Sequence, residues 1–214
     1  MTLPLFPLGT VLFPRALLPL HVFEPRYRAM VSDLMAESQP WSFGVVAIRE
    51  GHEVGAASVK SLHEVGCAGI IMQVERFPDG RLAMVLAGDR RFRIRELDES
   101  RPYLQADVEF IDEPSLADVP ADLLTAVRER FVDYCSALGA PDAASQLPDG
   151  PADYSFAVAA TMVLPLADRQ ALLESPDAAQ RLRAEAGLLS RELALIRTGT
   201  MPVTQPRLRP YSQN

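Results

Sequence analysis

Lys60 is the only lysine of this 214-residue chain, and it limits the phosphate and lysine chemistry that the sequence can carry. A nucleotide-binding phosphate loop has the pattern GxxxxGK[ST], in which glycines cradle the phosphates and the lysine contacts them. Lys60 follows Val59 and no such glycine frame. A Ser–Lys peptidase dyad would also need Lys60, but a lysine in a polar loop is solvated, whereas a catalytic lysine needs burial to lower its pKa. The sequence therefore favours neither an ATPase nor a Ser–Lys peptidase, and we expect no catalytic residue in this chain.

Three potential metal ligands lie close together in the sequence, namely His52, His63 and Cys67. Zinc needs three or four converging nitrogen or sulfur donors. The HExxH pattern fails twice, because the position expected to hold the second histidine is Ala56 in one case and Cys67 in the other. Histidines at loop edges are typically exposed to solvent, so the sequence predicts no metal and no cofactor.

A basic run, Arg90–Arg95, has the residue types that contact a phosphate backbone, and Phe92 within it could stack on a base. Acidic residues follow the run directly, and the chain has 28 acidic against 21 basic side chains, a net charge of −7. We interpret the run as a strand with a charged outer face. Nucleic acid and anionic membranes are not expected partners.

The composition is that of an ordinary globular protein, with 48% hydrophobic and 23% charged residues. Cys67 and Cys135 are far apart and suggest no disulfide framework, which favours a cytoplasmic location. The N-terminus lacks a basic segment, and prolines interrupt it, so it is a poor signal peptide. The longest uncharged apolar stretch, 154–167, is too short to span a bilayer.

The first half of the chain reads as strands around one helix. The helix starts at Glu24-Pro25, since proline is favoured in the first turn, and apolar residues then recur at helical spacing. A turn at Pro78-Asp79-Gly80 separates two strands, because Asp-Gly accepts the positive φ of a tight hairpin. The predicted strands are Val11–Phe13, Leu17–Phe23, Trp41–Arg49, Val65–Phe77, Leu82–Leu86, Arg91–Leu97 and Tyr103–Ile111.

After Pro120 the apolar residues follow a helical period instead. The last predicted helix starts at Ser175-Pro176-Asp177, with Ser175 as its N-cap. We divide the chain into a β-rich part, 1–115, a helical part, 118–197, and a tail, 198–214.

Three short segments together resemble the signatures of the Lon N-terminal, substrate-binding domain. The segments are Leu3-Pro4-Leu5-Phe6-Pro7-Leu8 continuing to Leu18-Pro19-Leu20-His21-Val22-Phe23-Glu24-Pro25-Arg26-Tyr27, then Val65-Gly66-Cys67-Ala68-Gly69-Ile70-Ile71, then Gly88-Asp89-Arg90-Arg91-Phe92-Arg93-Ile94. Each is weak alone, but their order is specific, and the resemblance covers about residues 2–197.

The resemblance implies an α+β fold in which a PUA-like β-barrel subdomain precedes a C-terminal helical bundle. It also implies a non-catalytic module that recognises unfolded or partly folded polypeptide, an adaptor in protein quality control with a protease as a further partner. We expect a stand-alone domain, because the chain ends before the ATPase and peptidase domains of full-length Lon proteases would begin. The oligomeric state is not predicted.

Two sets of residues are candidates for specific roles. Glu24 and Arg91 are expected to form a partly buried ion pair that joins the helix to the barrel, because a lone buried carboxylate would be costly. The polypeptide-binding candidates are apolar or flanking residues at strand-connecting loops, which should then form one exposed patch. They are Phe13, Arg15, Leu17, Phe77 and Pro78.

Two alternative functions stay open. Barrels of the PUA type often bind RNA, which would require an exposed, net-positive Arg90–Arg95 face with a free aromatic side chain. A small-molecule sensor or enzyme would require a deep pocket between barrel and bundle, with a polar cluster around His21 or Cys67.

Overall fold

The computed structural model describes residues 1–53, 59–113 and 119–199. The chain divides into a strand-rich unit up to Asp112 and a helical unit from Glu113 onward. The predicted boundaries at 115 and 118, and the predicted tail beyond 199, lie outside the described residues. Both units contain a buried apolar core of their own, and the α+β class is confirmed.

The strand-rich unit is a small barrel. Its elements are β1 (Thr2–Leu8), β2 (Leu17–Val22), α1 (Pro25–Met35), β3 (Ser42–Gly51), β4 (Val59–Leu62), β5 (Val65–Arg76), β6 (Leu82–Asp98) and β7 (Gln105–Phe110). The sheet order is β1-β7-β6-β5-β3, and β1 also pairs with β3 in parallel, so these five strands close into a ring. Closure leaves the ring without free edges.

Phe92 of β6 fills the centre of the ring and is fully buried with Leu5, Val46 and Ala68. Gly66 faces it from β5, where an added Cβ would stand 2.5 Å from the Phe92 ring and 2.6 Å from the Val45 carbonyl oxygen. A side chain at this position would therefore push the Phe92 side chain out of the core.

Strand β6 is 17 residues long and belongs to two substructures. Its second half pairs with β7 inside the ring, while its first half pairs with β5 on one side and β2 on the other. The sequence pattern predicted two strands here, 82–86 and 91–97, because polar residues interrupt the apolar run. That prediction is wrong, since the backbone continues in extended conformation through Asp89 and Arg90 with both side chains exposed.

The helical unit contains α2 (Ala121–Ala137), a 3-10 helix (Pro141–Gln146), α3 (Pro151–Thr161), α4 (Leu166–Glu174) and α5 (Ala178–Arg197). Its core joins α2, α3 and α5 through Phe131, Val158, Leu182 and Leu189, all fully buried. Tyr134 is also buried, and its hydroxyl accepts a hydrogen bond from the backbone N–H of Val163 at 3.0 Å. This bond satisfies the one polar group that the tyrosine brings into the core.

The N-cap of α5 is Asp177, whose carboxylate accepts a hydrogen bond from the backbone N–H of Gln180 at 2.7 Å. The prediction that Ser175 caps this helix is wrong, because the Ser175 hydroxyl instead donates to the carbonyl of Ala171 on α4 at 3.2 Å. The predicted strand at 11–13 is also absent, and this segment is buried loop.

Among the helices of the described ranges, none combines the length and apolar character needed to cross a membrane.

Candidate functional site

One surface of the strand-rich unit is a three-stranded sheet made by β2, the first half of β6 and the second half of β5. Along β2 the side chains alternate, with Leu18, Leu20 and Val22 buried and the residues between them open to solvent. The first half of β6 shows the same alternation. Since successive side chains of a strand point to opposite faces, one face of this sheet covers the core and the other does not.

We call the second, uncovered surface the outer face. The strand register aligns it in rows across the sheet: Ile70 with Ala87 and Leu17, Gln73 with Val85 and Pro19, and Glu75 with Ala83 and His21. Most of these side chains are apolar and are only half-buried or exposed. Met72, the extra residue of a β-bulge in β5, adds a 57% exposed side chain beside them.

The outer face ends in an apolar cleft of about 450 Å³ at the β5–β6 turn. Phe23, just beyond β2, is 51% exposed and lines this cleft. Phe77 lines it from the end of β5, where its backbone N–H donates to the Arg81 carbonyl at 2.9 Å and extends the hairpin. The half-exposed Phe23 and the partly buried Phe77 thus give this end of the outer face two aromatic side chains within one apolar cleft.

The charge of Arg81, which also lines the cleft, is balanced by Asp79. Its Nε lies 2.6 Å from the Asp79 carboxylate. The backbone N–H of Arg81, and secondly its side chain, hold the pKa of Asp79 below the ordinary value, so this acid stays ionised at neutral pH. The cleft therefore carries little net charge that would oppose an apolar ligand.

The structure separates the five predicted polypeptide-binding residues. Leu17 and Phe77 lie on the outer face at opposite ends, and Pro78 is exposed in the adjoining turn. Phe13 is fully buried, so the expectation that it contributes to an exposed patch is wrong. Its loop packs inward because Gly88 permits close approach of the backbone, and a Cβ on Gly88 would overlap the Phe13 carbonyl.

Arg15 follows in the same loop and has a positive φ of 62°. Its backbone N–H donates to the Gly88 carbonyl at 2.7 Å, and the Gly88 N–H donates to the Ala16 carbonyl at 2.9 Å. The loop is thus fixed to β6, and it sets where β2 begins.

Glu24 precedes the first residue of α1, and Arg91 lies on β6 with only 2% of its surface exposed. The Glu24 carboxylate lies 3.1 Å from the guanidinium of Arg26. The Glu24–Arg91 ion pair stays a prediction.

The basic run does not provide the surface that RNA recognition would need. Phe92 is fully buried and therefore cannot stack on a base. Acids accompany the exposed arginines, since Arg93 pairs with Glu64 at 3.3 Å and Arg95 with Glu109.

Cys67 and His21, the two candidate centres of a polar pocket, lie in different surroundings. The Cys67 thiol is fully buried, its burial raises its pKa, and it donates to the Ala68 carbonyl. His21 is exposed on the outer face. In residues 1–53, 59–113 and 119–199, no three His, Cys, Asp or Glu side chains are grouped to hold a metal ion. The predicted pocket between barrel and bundle stays a prediction.

Sequence reasoning missed most of the outer face, including Phe23, Met72 and Val85. The signal that could have found them is the alternation of buried and exposed positions in β2. Leu17 and Pro19 conceal it, because they are apolar residues at exposed positions and make the segment resemble a continuous apolar run.

Comparisons with known proteins agree with this fold. Residues 2–191 match the family model described as ATP-dependent protease La (LON) substrate-binding domain. A crystal structure of a Lon N-terminal domain protein from Xanthomonas campestris is 26% identical, with a TM-score of 0.64 over 89% of this chain and 98% of that one. The N-terminal domain of a Mycobacterium avium complex Lon protease, 21% identical, shares the fold with a TM-score of 0.66.

Among curated proteins, Lon protease 2 of Myxococcus xanthus is 29% identical over 204 residues, which are 91% of this chain and 24% of that protein. Lon protease 2 of Thermus thermophilus is 30% identical over 206 residues, 92% of this chain and 25% of that protein. The chain thus spans about a quarter of the length of these relatives.

Proposed function

Because the chain belongs to the family of Lon substrate-binding domains, we propose that it recognises unfolded or partly folded polypeptides through the outer face. In this role it acts as an adaptor in protein quality control, presenting captured chains to a protease, and it breaks no bonds itself. The observation that carries the proposal is that most side chains of the outer face are apolar and only half-buried or exposed, aligned in rows across three strands. The outer face ends in the open cleft that Phe23 and Phe77 line.

The chemistry of the outer face suits ligands of varied sequence. Ala83, Val85 and Ala87 have short side chains, so the central strand, β6, presents a shallow apolar surface on which a bound side chain can lie. Met72 is unbranched and polarizable, so it adapts to different neighbours. Few charged groups face the ligand, so recognition depends on apolar area and not on a particular arrangement of hydrogen bonds.

The affinity follows from the same surface. Burial of apolar area contributes about 25 cal/mol per Å². Association and the ordering of a flexible chain offset much of this gain. We therefore expect weak, promiscuous binding that favours segments exposed only when a protein is unfolded.

A double substitution, Phe23→Ser with Phe77→Ser, tests the proposal. The matched control is Val132→Ser with Val163→Ser, because these valines are 49% and 46% exposed on the helical unit. The ligand is a fluorescently labelled polypeptide kept unfolded by alkylation of its cysteines, and binding is measured by fluorescence anisotropy. Thermal unfolding followed by circular dichroism establishes that each variant is folded.

We expect the phenylalanine variant to bind at least about tenfold more weakly, which corresponds to the loss of roughly 1.4 kcal/mol of apolar contact. The valine variant should bind like the unchanged chain. Equal binding by the phenylalanine variant, or an equal loss in the control, would contradict the outer face as the binding surface.

A further inference from the structure

A second cleft of the strand-rich unit, about 300 Å³ in volume, differs in character from the outer face. Residues from α1, from β4 and from the segment after β6 line it. Three of these residues are cations, Arg26, Lys60 and Arg101, and one is an acid, Glu99. Among the side chains that line the cleft, the cations thus outnumber the acids.

The three cations are differently engaged. Arg26 is held at 3.1 Å from Glu24 and lies over the Tyr27 ring at 4.5 Å, so its position is fixed. Arg101 contacts Asp33 through one nitrogen at 3.2 Å and remains 56% exposed. Lys60 is exposed and has no ion pair within the described ranges. Lys60 and Arg101 thus retain N–H donors for an anion.

The same cleft has an apolar wall of Leu62, Leu97 and Leu104. Leu97 is 46% exposed although it lies in β6. An exposed leucine beside two available cations fits a ligand that has an apolar group and an anionic group close together. Every polypeptide that ends in an apolar residue has this combination at its C-terminus.

We propose that this cleft binds the C-terminal carboxylate of a polypeptide whose last residue is apolar. The carboxylate accepts charge-assisted hydrogen bonds from Lys60 and Arg101, and the last side chain packs on Leu97 and its neighbours. The inference rests on the proposed function, because it specifies which polypeptides the module binds best. Chain ends become accessible when a protein unfolds or is cut, so the cleft would select damaged chains.

The test compares a short labelled peptide ending in leucine with a free carboxylate and the same peptide with an amidated C-terminus. Binding of both is measured by fluorescence anisotropy to the full chain and to Lys60→Glu, Lys60→Arg and Arg197→Glu. Arg197 is an exposed arginine at the end of α5, so its replacement changes the net charge equally without touching the cleft.

We expect amidation and Lys60→Glu each to weaken binding of the peptide roughly tenfold or more, the effect of losing a hydrogen bond between charged groups. Lys60→Arg should retain binding, and Arg197→Glu should change it little. The assignment would be overturned if the acid and the amide bound equally well, or if Lys60→Glu left binding unchanged. It would also be overturned if single-stranded RNA displaced the labelled peptide while excess unlabelled acid peptide did not.

The two proposals fail separately. If the short peptide shows no carboxylate dependence while the unfolded polypeptide still requires Phe23 and Phe77, only the cleft assignment falls. If carboxylate dependence is found while replacement of both phenylalanines has no effect, the outer face is wrong and the cleft is the recognition site.

Discussion

At the scale of single residues, the helical unit contains ionisable side chains that are buried. Arg181 of α5 is fully buried, and its Nε donates to the Ser155 hydroxyl at 2.7 Å. Its guanidinium lies 3.5 Å from the centre of the Phe156 ring and 3.2 Å from the Glu113 carboxylate. Glu185, one turn further along α5, is also fully buried, and in the described residues neither of its carboxylate oxygens has a hydrogen-bond partner.

Burial raises the pKa of Glu185 well above its ordinary value, and nearby Arg181 opposes this shift only in part. Between the unfolded and the folded pKa, the folded protein holds a proton that the unfolded chain has lost. Glu185 therefore contributes most to stability below its unfolded pKa, and this contribution is lost as the pH rises through the folded pKa.

Glu185→Gln should remove this dependence, because an amide does not titrate. Urea unfolding from about pH 5 to about pH 8 should show a smaller decrease in the free energy of unfolding for the variant than for the unchanged chain. Identical pH profiles would show that Glu185 does not titrate in this range.

At the scale of elements, contacts at the ends place strand β2 and helix α5. Strand β2 is placed by the two hydrogen bonds that fix its preceding loop to Gly88. Helix α5 is placed by Asp177, whose pKa is lowered chiefly by the hydrogen bond from the Gln180 backbone. A helix whose first N–H groups are satisfied by a side chain starts at a defined residue.

Asp177→Ala should destabilise the chain by about 1 kcal/mol, the usual contribution of an N-cap. Ser175→Ala, at the residue that the sequence pattern favoured as cap, should have a smaller effect. Both are measured as free energies of unfolding in urea. A larger loss at Ser175 than at Asp177 would show that the helix is capped differently in solution.

Several elements could be predicted from local sequence, and others depend on long-range pairing. The spacing of Tyr27, Met30 and Leu34 predicts α1 because a helix buries one face regardless of what it packs on. Barrel closure could not be predicted from local sequence and was implied only by the family resemblance, because Pro4 and Pro7 make β1 a poor strand by local criteria. The pairing partners of β1 lie 39 or more residues away.

The candidate site was predicted in part for the same reason. Apolar residues at exposed positions identify Leu17 and Phe77, but their membership of one face follows only from the register of β2, β6 and β5. The sequence pattern predicts Phe13 at the surface, because nothing in the pattern shows that the loop of Phe13 packs closely against Gly88.

At the scale of the whole molecule, the chain has a net charge of −7, and the two proposed recognition surfaces differ from it in local character. The outer face is mostly apolar, whereas the second cleft is lined by more cations than acids. Long-range repulsion should therefore lower the association rate of a negatively charged polypeptide, whereas local contacts determine its dissociation rate.

An unfolded polypeptide made anionic by succinylation of its lysines should associate more slowly than the unmodified one. This difference should shrink from about 0.15 M to about 1 M salt, as the screening length falls from about 8 Å to about 3 Å. Stopped-flow anisotropy measures both rates. A difference that persists at high salt would show that the modified lysines themselves contact the binding surface.

Strand β6 has a consequence for how this module can diversify. One uninterrupted stretch of backbone forms the middle of the proposed recognition surface and then carries Phe92 into the centre of the barrel. Inserting or deleting a single residue in its first half would reverse which side chains face outward, or would move Phe92 out of the barrel core. Ligand preference can therefore change by substitution of the outward-facing side chains of β6, which are every second residue, whereas the number of residues in the strand must stay the same.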